Sequence, residues 1–199
     1  PQRVGLKVVP ELLEHWADWI DAKADEYGVR HGPRDRQYAT GTEILVLGRP
    51  RVLRITNLSP DRKRPVIVLD DDSLSLALSP TDVFDVRSVL EKYLRRLARK
   101  DLTERTALWA DRLGLFPRKI IVGERTSRWG SCSARGTISY CYRLVMAPHE
   151  AVDAVVAHEL CHLAHLNHSK RFYALLDGVC PGHRASMKWL VDHHDELQL

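Results

Sequence analysis

"VVAHELCHLAHLNHSKRF", Val155–Phe172, holds four of the chain's ten histidines, and Glu159 stands beside the first of them. His158 and His162 are four residues apart. On an α-helix that spacing rises about 6 Å and turns slightly more than once, so both rings leave one face. Two imidazoles so placed can hold a Zn²⁺ at about 2.0–2.1 Å each. Glu159 need not bind the ion. In an H-E-x-x-H arrangement it stands where a carboxylate can take a proton from water that the ion has activated. Val152, Val155, Val156 and Leu160 make the helix largely apolar, as a buried helix would be. A carboxylate and two imidazoles inside it would be costly without a partner. That weighs for a metal site over a pair of solvated or core histidines.

A catalytic zinc needs a third protein ligand and one open position. His165 and His168 both lie close by. His165 shares the helical face, but on a straight helix it sits about 10 Å along the axis from His158. His168 could swing back if the helix ends near Leu166-Asn167, since Asn tolerates the left-handed conformation that ends helices. Ser169 would then cap a following helix, "KRFYALL". This punctuation favours His168 and leaves His165 as a supporting or solvent-facing group.

Working outward, Pro148 opens the histidine helix and two helical segments follow it. Upstream, "KIIVGE" (Lys119–Glu124) and "TISYCYRLV" (Thr137–Val145) read as strands. A long helix runs to about Gly114, with Val83, Val86, Leu90, Leu94, Leu97, Leu108 and Leu113 as its apolar positions. Ser79-Pro80-Thr81-Asp82 is its start signal. Short β-type runs lie before it at Ile44–Leu47, Val52–Ile55, Val66–Leu69 and Leu74–Leu78, with turns at Gly48-Arg49-Pro50 and Asp70–Asp72. A first helix spans Pro10 to about Tyr27, and a polar linker follows. The segments divide into an N-terminal helix plus β-rich part, residues 1–78, and a catalytic core, residues 79–199, packed as one structural unit.

The chain has 199 residues, 44% of them apolar, which is enough for a real core. No run of about 18 apolar residues predicts a membrane span, and no signal-peptide pattern opens the chain. It begins with Pro1 rather than Met, so a native start can lie upstream. Cys132, Cys141, Cys161 and Cys180 form no C-x-x-C pair and read as reduced thiols of a cytoplasmic protein. The net charge is +4, with basic clusters at Arg62-Lys63-Arg64 and around Arg95-Arg96. These read as solvated surface or as weak, non-specific contacts to nucleic acid.

Two linked segments carry a family resemblance: "RWGSC" (Arg128–Cys132) with "TISYCYRLVMAP", and "VVAHELCHLAHLNHSKRF". Their order and separation resemble the YgjP-like metallopeptidase family, relatives of the SprT-like and WLM-type zincins. Looser similarity runs from "YATGTEILVLGR" to "MKWL". The resemblance implies an α+β, zincin-like metallopeptidase fold: a small β-sheet, a long supporting helix and an H-E-x-x-H active-site helix. Carried over by position, it implies His158, His162 and His168 as ligands of one zinc per chain and Glu159 as catalytic base. The ten-residue span from His158 to His168 also resembles metzincins, but His165 stands where those proteins have Gly, and no Met-turn follows. Nor does the N-terminal part show the long basic β-rich opening common in the family.

Within "RWGSC", Gly130 permits a turn or a close backbone approach, and Trp129 reads as a packing anchor. Arg128 could hold an anionic group or a developing oxyanion, or form an internal ion pair. Cys132 could approach the metal or be a packed thiol. Tyr140 and Tyr142 share a strand face by period two; either could contact substrate or an oxyanion, or simply pack with its hydroxyl bonded.

Three functions compete. The leading one is a zinc-dependent peptidase acting on polypeptide, aligned by β-addition near "RWGSC". The second comes with the family, some of whose members are assigned nucleotide pyrophosphohydrolase activity on UTP, although no phosphate loop or carboxylate-rich Mg²⁺ site is evident. The third is a metal-stabilised binding module without turnover, against which Glu159 argues, since a structural zinc needs no base. Related zincins connected with DNA–protein crosslinks suggest, by analogy, a nucleic-acid surface as a cofactor.

Overall fold

Leu47 and Gly48 form a two-residue turn in which both residues have positive φ, 53° and 74°. Such a turn twists in the sense that strands twist, so it closes a tight hairpin. It joins β1 (Glu43–Val46) to β2 (Arg49–Asn57), with Val46 opposite Arg49. The turn therefore precedes the expected Gly48-Arg49-Pro50, and Arg49 and Pro50 open the strand. β2 runs parallel to β4 (Ser73–Leu78), which pairs antiparallel with β3 (Val66–Leu69), giving the order β1-β2-β4-β3. Ile44, Val46, Leu53, Leu74 and Leu76 turn inward from this sheet.

The computed structural model describes Trp16, residues 37–79 and residues 86–199. The expected first helix and the helix-start signal at Pro80-Thr81-Asp82, with Val83 after it, lie outside the described residues. The chain divides into two compact units, Pro1–Arg36 and Gln37–Leu199. Within the second, the four strands, the long helix after them and the histidine helix share the main hydrophobic core, and Phe172 and Leu176 form a smaller cluster with Ala157 and Cys161.

The long helix, α1, spans Val86–Leu113. Its buried stripe is Val89, Leu90, Leu94, Ala98, Leu102, Thr106 and Ala110. Leu108, expected on the apolar face, is exposed instead; the stripe continues through alanine and threonine, which hydropathy alone does not mark. Gly114 ends the helix at φ 66°, and the Leu115 N–H returns to the Ala110 carbonyl at 3.2 Å, satisfying an end carbonyl.

A second sheet has the order β5-β7-β6, with β5 Lys119–Gly123, β6 Gly130–Cys132 and β7 Thr137–Cys141. β5 is parallel to β7 and β6 antiparallel to it. The strand expected through Val145 stops at Cys141; Tyr142–Met146 forms a 3-10 helix that turns the chain toward Pro148. The β1–β2 hairpin docks here, through Leu47 N–H to the Val145 carbonyl and Gly48 N–H to the Met146 carbonyl. Gly48 is necessary at this contact: a Cβ there would lie 2.5 Å from the Cα of Pro148.

Pro148 sits at the N-cap of α2, His149–Ala164, the histidine-bearing helix. Its buried residues contact both hydrophobic clusters, so it is enclosed on most sides. Arg105 of α1 braces it by donating to Asp153 at 3.0 Å and contacting His149. Then follow α3, Lys170–Val179, α4, His183–Asp192, and a final 3-10 turn, His194–Leu197. No described helix is long and apolar enough to cross a membrane.

Candidate active site

α2 ends earlier than Leu166-Asn167, and not through a left-handed Asn. His165 is its C-cap in extended conformation, with its N–H on the Cys161 carbonyl at 2.9 Å. Leaving the helix frees the His165 carbonyl, which lies 3.0 Å from His162 Nδ1. A carbonyl only accepts, so Nδ1 carries the proton and Nε2 keeps its lone pair. His165 thus serves the site through its backbone. The chain then turns back, and Ser169 caps α3 by accepting from the Phe172 N–H at 3.4 Å.

That return brings three imidazoles together. His158 Nε2 lies 3.2 Å from His162 Nε2 and 3.0 Å from His168 Nε2. Phe172 forms their apolar backing, stacked on His162 at 4.6 Å and edge-on to His158 and His168. Tyr173 lies over the outer face of His168. The sequence reading missed Phe172, although the Ser169 cap places it on the third residue of α3, one turn from the third histidine. Burial, then the neighbouring His162, His168 and His183, pushes His158 down to about 4. Burial chiefly lowers His162 too, against the pull of the His165 carbonyl. Both rings are therefore neutral at pH 7, with lone pairs available to a cation.

Glu159 is only 6% exposed, and its Oε2 has no hydrogen-bond partner among the described residues. Burial raises its carboxyl to about 7, opposed by the charge of Arg128. Gly130 explains how the side chain fits: a Cβ there would stand 2.6 Å from Glu159 Oε1 and 2.7 Å from its Cγ. The close approach expected at this glycine is thus an approach to Glu159, across the boundary between β6 and α2. The Cys132 thiol is raised by burial and then by the Glu159 charge, so it stays protonated. It lies near the carboxyl and outside the group of convergent imidazoles.

Arg128 is exposed at the lip of the site, with its charge felt by Glu159. The two tyrosines are placed differently. Tyr140 is fully buried, its hydroxyl sharing a 3.1 Å hydrogen bond with Thr106 of α1. Tyr142 has left the strand, so the period-two argument stops before it; its buried ring lies under the Arg95 guanidinium at 4.3 Å. Neither is open to a substrate, and packing accounts for both.

The sequence reading also missed what holds the loop between β5 and β6. Buried Arg143 pairs with Glu124 and donates to the Arg125 carbonyl at 2.6 Å, while Arg95 takes the other Glu124 oxygen at 2.8 Å. These contacts join residues 18 to 29 positions apart, and no short motif announces them.

A buried helix carrying H-E-x-x-H, a third histidine on the returning chain and an edge strand against the glutamate define an α+β, zincin-like metallopeptidase architecture. The sequence model of the YgjP-like family, metallopeptidase domain, matches residues 1–193, and the chain belongs to that family. A solved structure, the metallopeptidase zymogen of Pyrococcus abyssi abylysin, is similar over 46% of this chain and 93% of its own, at 21% identity and a TM-score of 0.41. No curated protein is significantly similar in sequence.

Proposed function

We propose that the protein is a zinc-dependent peptidase that holds one Zn²⁺ per chain on His158, His162 and His168 and cleaves polypeptide with Glu159 as general base. The observation that carries this reading is the convergence of three imidazole nitrogens within 4.8 Å of one another, beside a buried carboxyl. Ligands at 2.0–2.1 Å in a tetrahedron lie about 3.3 Å apart, and the Nε2 separations of 3.0 and 3.2 Å suit that arrangement. The donor chemistry fits as well: burial holds the His158 and His162 rings neutral, and the His162 tautomer is fixed by a carbonyl.

When bound, the ion would polarise a carbonyl oxygen and make water acidic near neutral pH. The remaining work falls to the chain. Glu159 takes a proton from water as the water oxygen adds to the peptide carbonyl carbon, then gives it to the departing amine nitrogen. Burial favours the protonated form of this carboxyl, which helps it hold the proton between the two transfers. β6 is the last strand of its sheet, so an extended peptide can add to its outer edge beside Glu159. Arg128 favours the ionised form of Glu159 through its charge. The four cysteines are free, which supports a reducing, cytoplasmic setting.

The test sets zinc-loaded wild type beside zinc-loaded Glu159→Gln on unfolded polypeptides and, separately, on UTP with and without Mg²⁺. Polypeptide cleavage should fall about 10²–10⁴-fold in the variant. Pyrophosphate release that depends on Glu159, with every polypeptide left intact, overturns the peptidase reading.

A further inference from the structure

Beside β6 the loop from β5 opens a cavity of about 410 Å³ lined by Glu124, Arg125, Thr126, Ser127, Arg128 and Ser131. Its lining is polar and carries two guanidinium groups. Glu124 does not neutralise them, because Arg143 and Arg95 already occupy its two oxygens. Among the described residues the Arg125 guanidinium donates to the Glu124 carbonyl alone, at 3.0 Å. What faces the cavity is therefore positive charge with three hydroxyl donors, a set that suits a carboxylate.

Strand geometry connects this cavity to the proposed peptide path. Gly130 and Cys132 both approach Glu159, so by alternation Ser131 turns to the opposite face of β6, where the cavity lies. A peptide residue paired directly opposite Ser131 turns its side chain to that same face. Its neighbours on either side turn toward Glu159 and α2. One substrate position is thus directed at Arg125 and Arg128 while the chain crosses the catalytic carboxyl.

Resting on the peptidase reading, we infer that this cavity is a specificity subsite that selects an acidic side chain, Glu or Asp, at one position of an extended polypeptide substrate. Arg125 and Arg128 bind the carboxylate, and the Ser131 face of β6 sets which residue reaches them. The Arg143–Glu124–Arg95 cluster acts through the loop, removing the competing carboxylate and fixing the Arg125 backbone.

The experiment uses otherwise identical amidated peptides carrying Glu, Gln or Lys at each position in turn. Cleavage by zinc-loaded wild type is followed by mass spectrometry, and binding of the same peptides to zinc-loaded Glu159→Gln by fluorescence anisotropy. At one position Glu should be preferred over Gln by about tenfold, and over Lys by more. Arg125→Gln and Arg128→Gln should each shrink that ratio. If a variant melts early, wild type decides alone: its Glu-to-Gln ratio must fall as salt rises from about 0.05 to 0.5 M. Cleavage without charge preference overturns the subsite and leaves the peptidase standing. Charge-selective binding without cleavage does the reverse, and the absence of both removes both. A Glu preference that survives both arginine changes in folded protein, or is indifferent to salt, also overturns the assignment.

Discussion

Replacing Glu159 by Gln should stabilise the metal-free protein in a pH-dependent way. Folding raises this carboxyl from an ordinary 4.5 to about 7, mainly by burial, and Oε2 is left without a partner among the described residues. Below pH 4.5 the group is neutral in both states and adds nothing. Between 4.5 and 7 the unfolded chain ionises first, so folding must take up a proton and stability falls; above 7 the loss is constant. A rise of 2.5 units, 7 less 4.5, at 1.36 kcal/mol each, gives a full penalty of about 3 kcal/mol. Between pH 5 and 8 the part that changes is about 2.5 kcal/mol. Glutamine does not titrate, and its fixed packing offset cancels when one pH is compared with the other. Urea unfolding with chelator present should show the variant gaining about 2.5 kcal/mol on wild type from pH 5 to 8, a midpoint shift of about 1 M. In zinc-loaded protein the gain should shrink, because a nearby dication restores the ionised form. A flat difference across that range, or one of opposite sign, refutes burial as the dominant influence on Glu159.

His168→Ala should abolish near-stoichiometric zinc by elemental analysis, whereas His165→Ala, which keeps the carbonyl bonded to His162, should lose far less; the reverse ranking removes His168 from the ligand set. Gly130→Ala should displace the Glu159 side chain and lower turnover about 10²-fold while zinc content and melting temperature change little, as checked by kinetics beside thermal unfolding. Gly48→Ala meets both a φ of 74° and the Pro148 backbone, and should cost at least about 2 kcal/mol in urea unfolding.

What was legible in the sequence was whatever local pattern controls. The histidine helix, the strands near the expected runs and the Ser169 cap follow from periodicity and punctuation. The end of α2 did not, because His165 leaves the helix where its carbonyl meets a ring one turn back, and no composition signal encodes that exchange. Leu108 looked like core and is exposed, since the stripe on α1 is set by close packing through Ala98, Thr106 and Ala110. Gly48 and Gly130 were visible as glycines, but their reasons lie on Pro148 and Glu159, far along the chain. The same is true of Arg143, an unremarkable arginine until folding presents Glu124 and the Arg125 carbonyl to it.

Those distant contacts bear on the chemistry through burial. Enclosing α2 removes water from His158 and Glu159 together, and desolvation acts on them with opposite signs. The imidazole is pushed down to about 4 and the carboxyl up to about 7, so each tends toward its uncharged form. Without a cation the site holds little net charge, which makes its burial tolerable. A dication on the three nitrogens would be the one large charge present, and it would pull the Glu159 proton off at the pH where the carboxylate is needed as base. Arg128 adds a smaller push in the same direction from the solvent side. On this account Gly48 and Gly130 do more than fit the chain together. By admitting the hairpin against Pro148 and β6 against Glu159, they help enclose the site, and under the proposed function that enclosure would tie the protonation of Glu159 to metal occupancy.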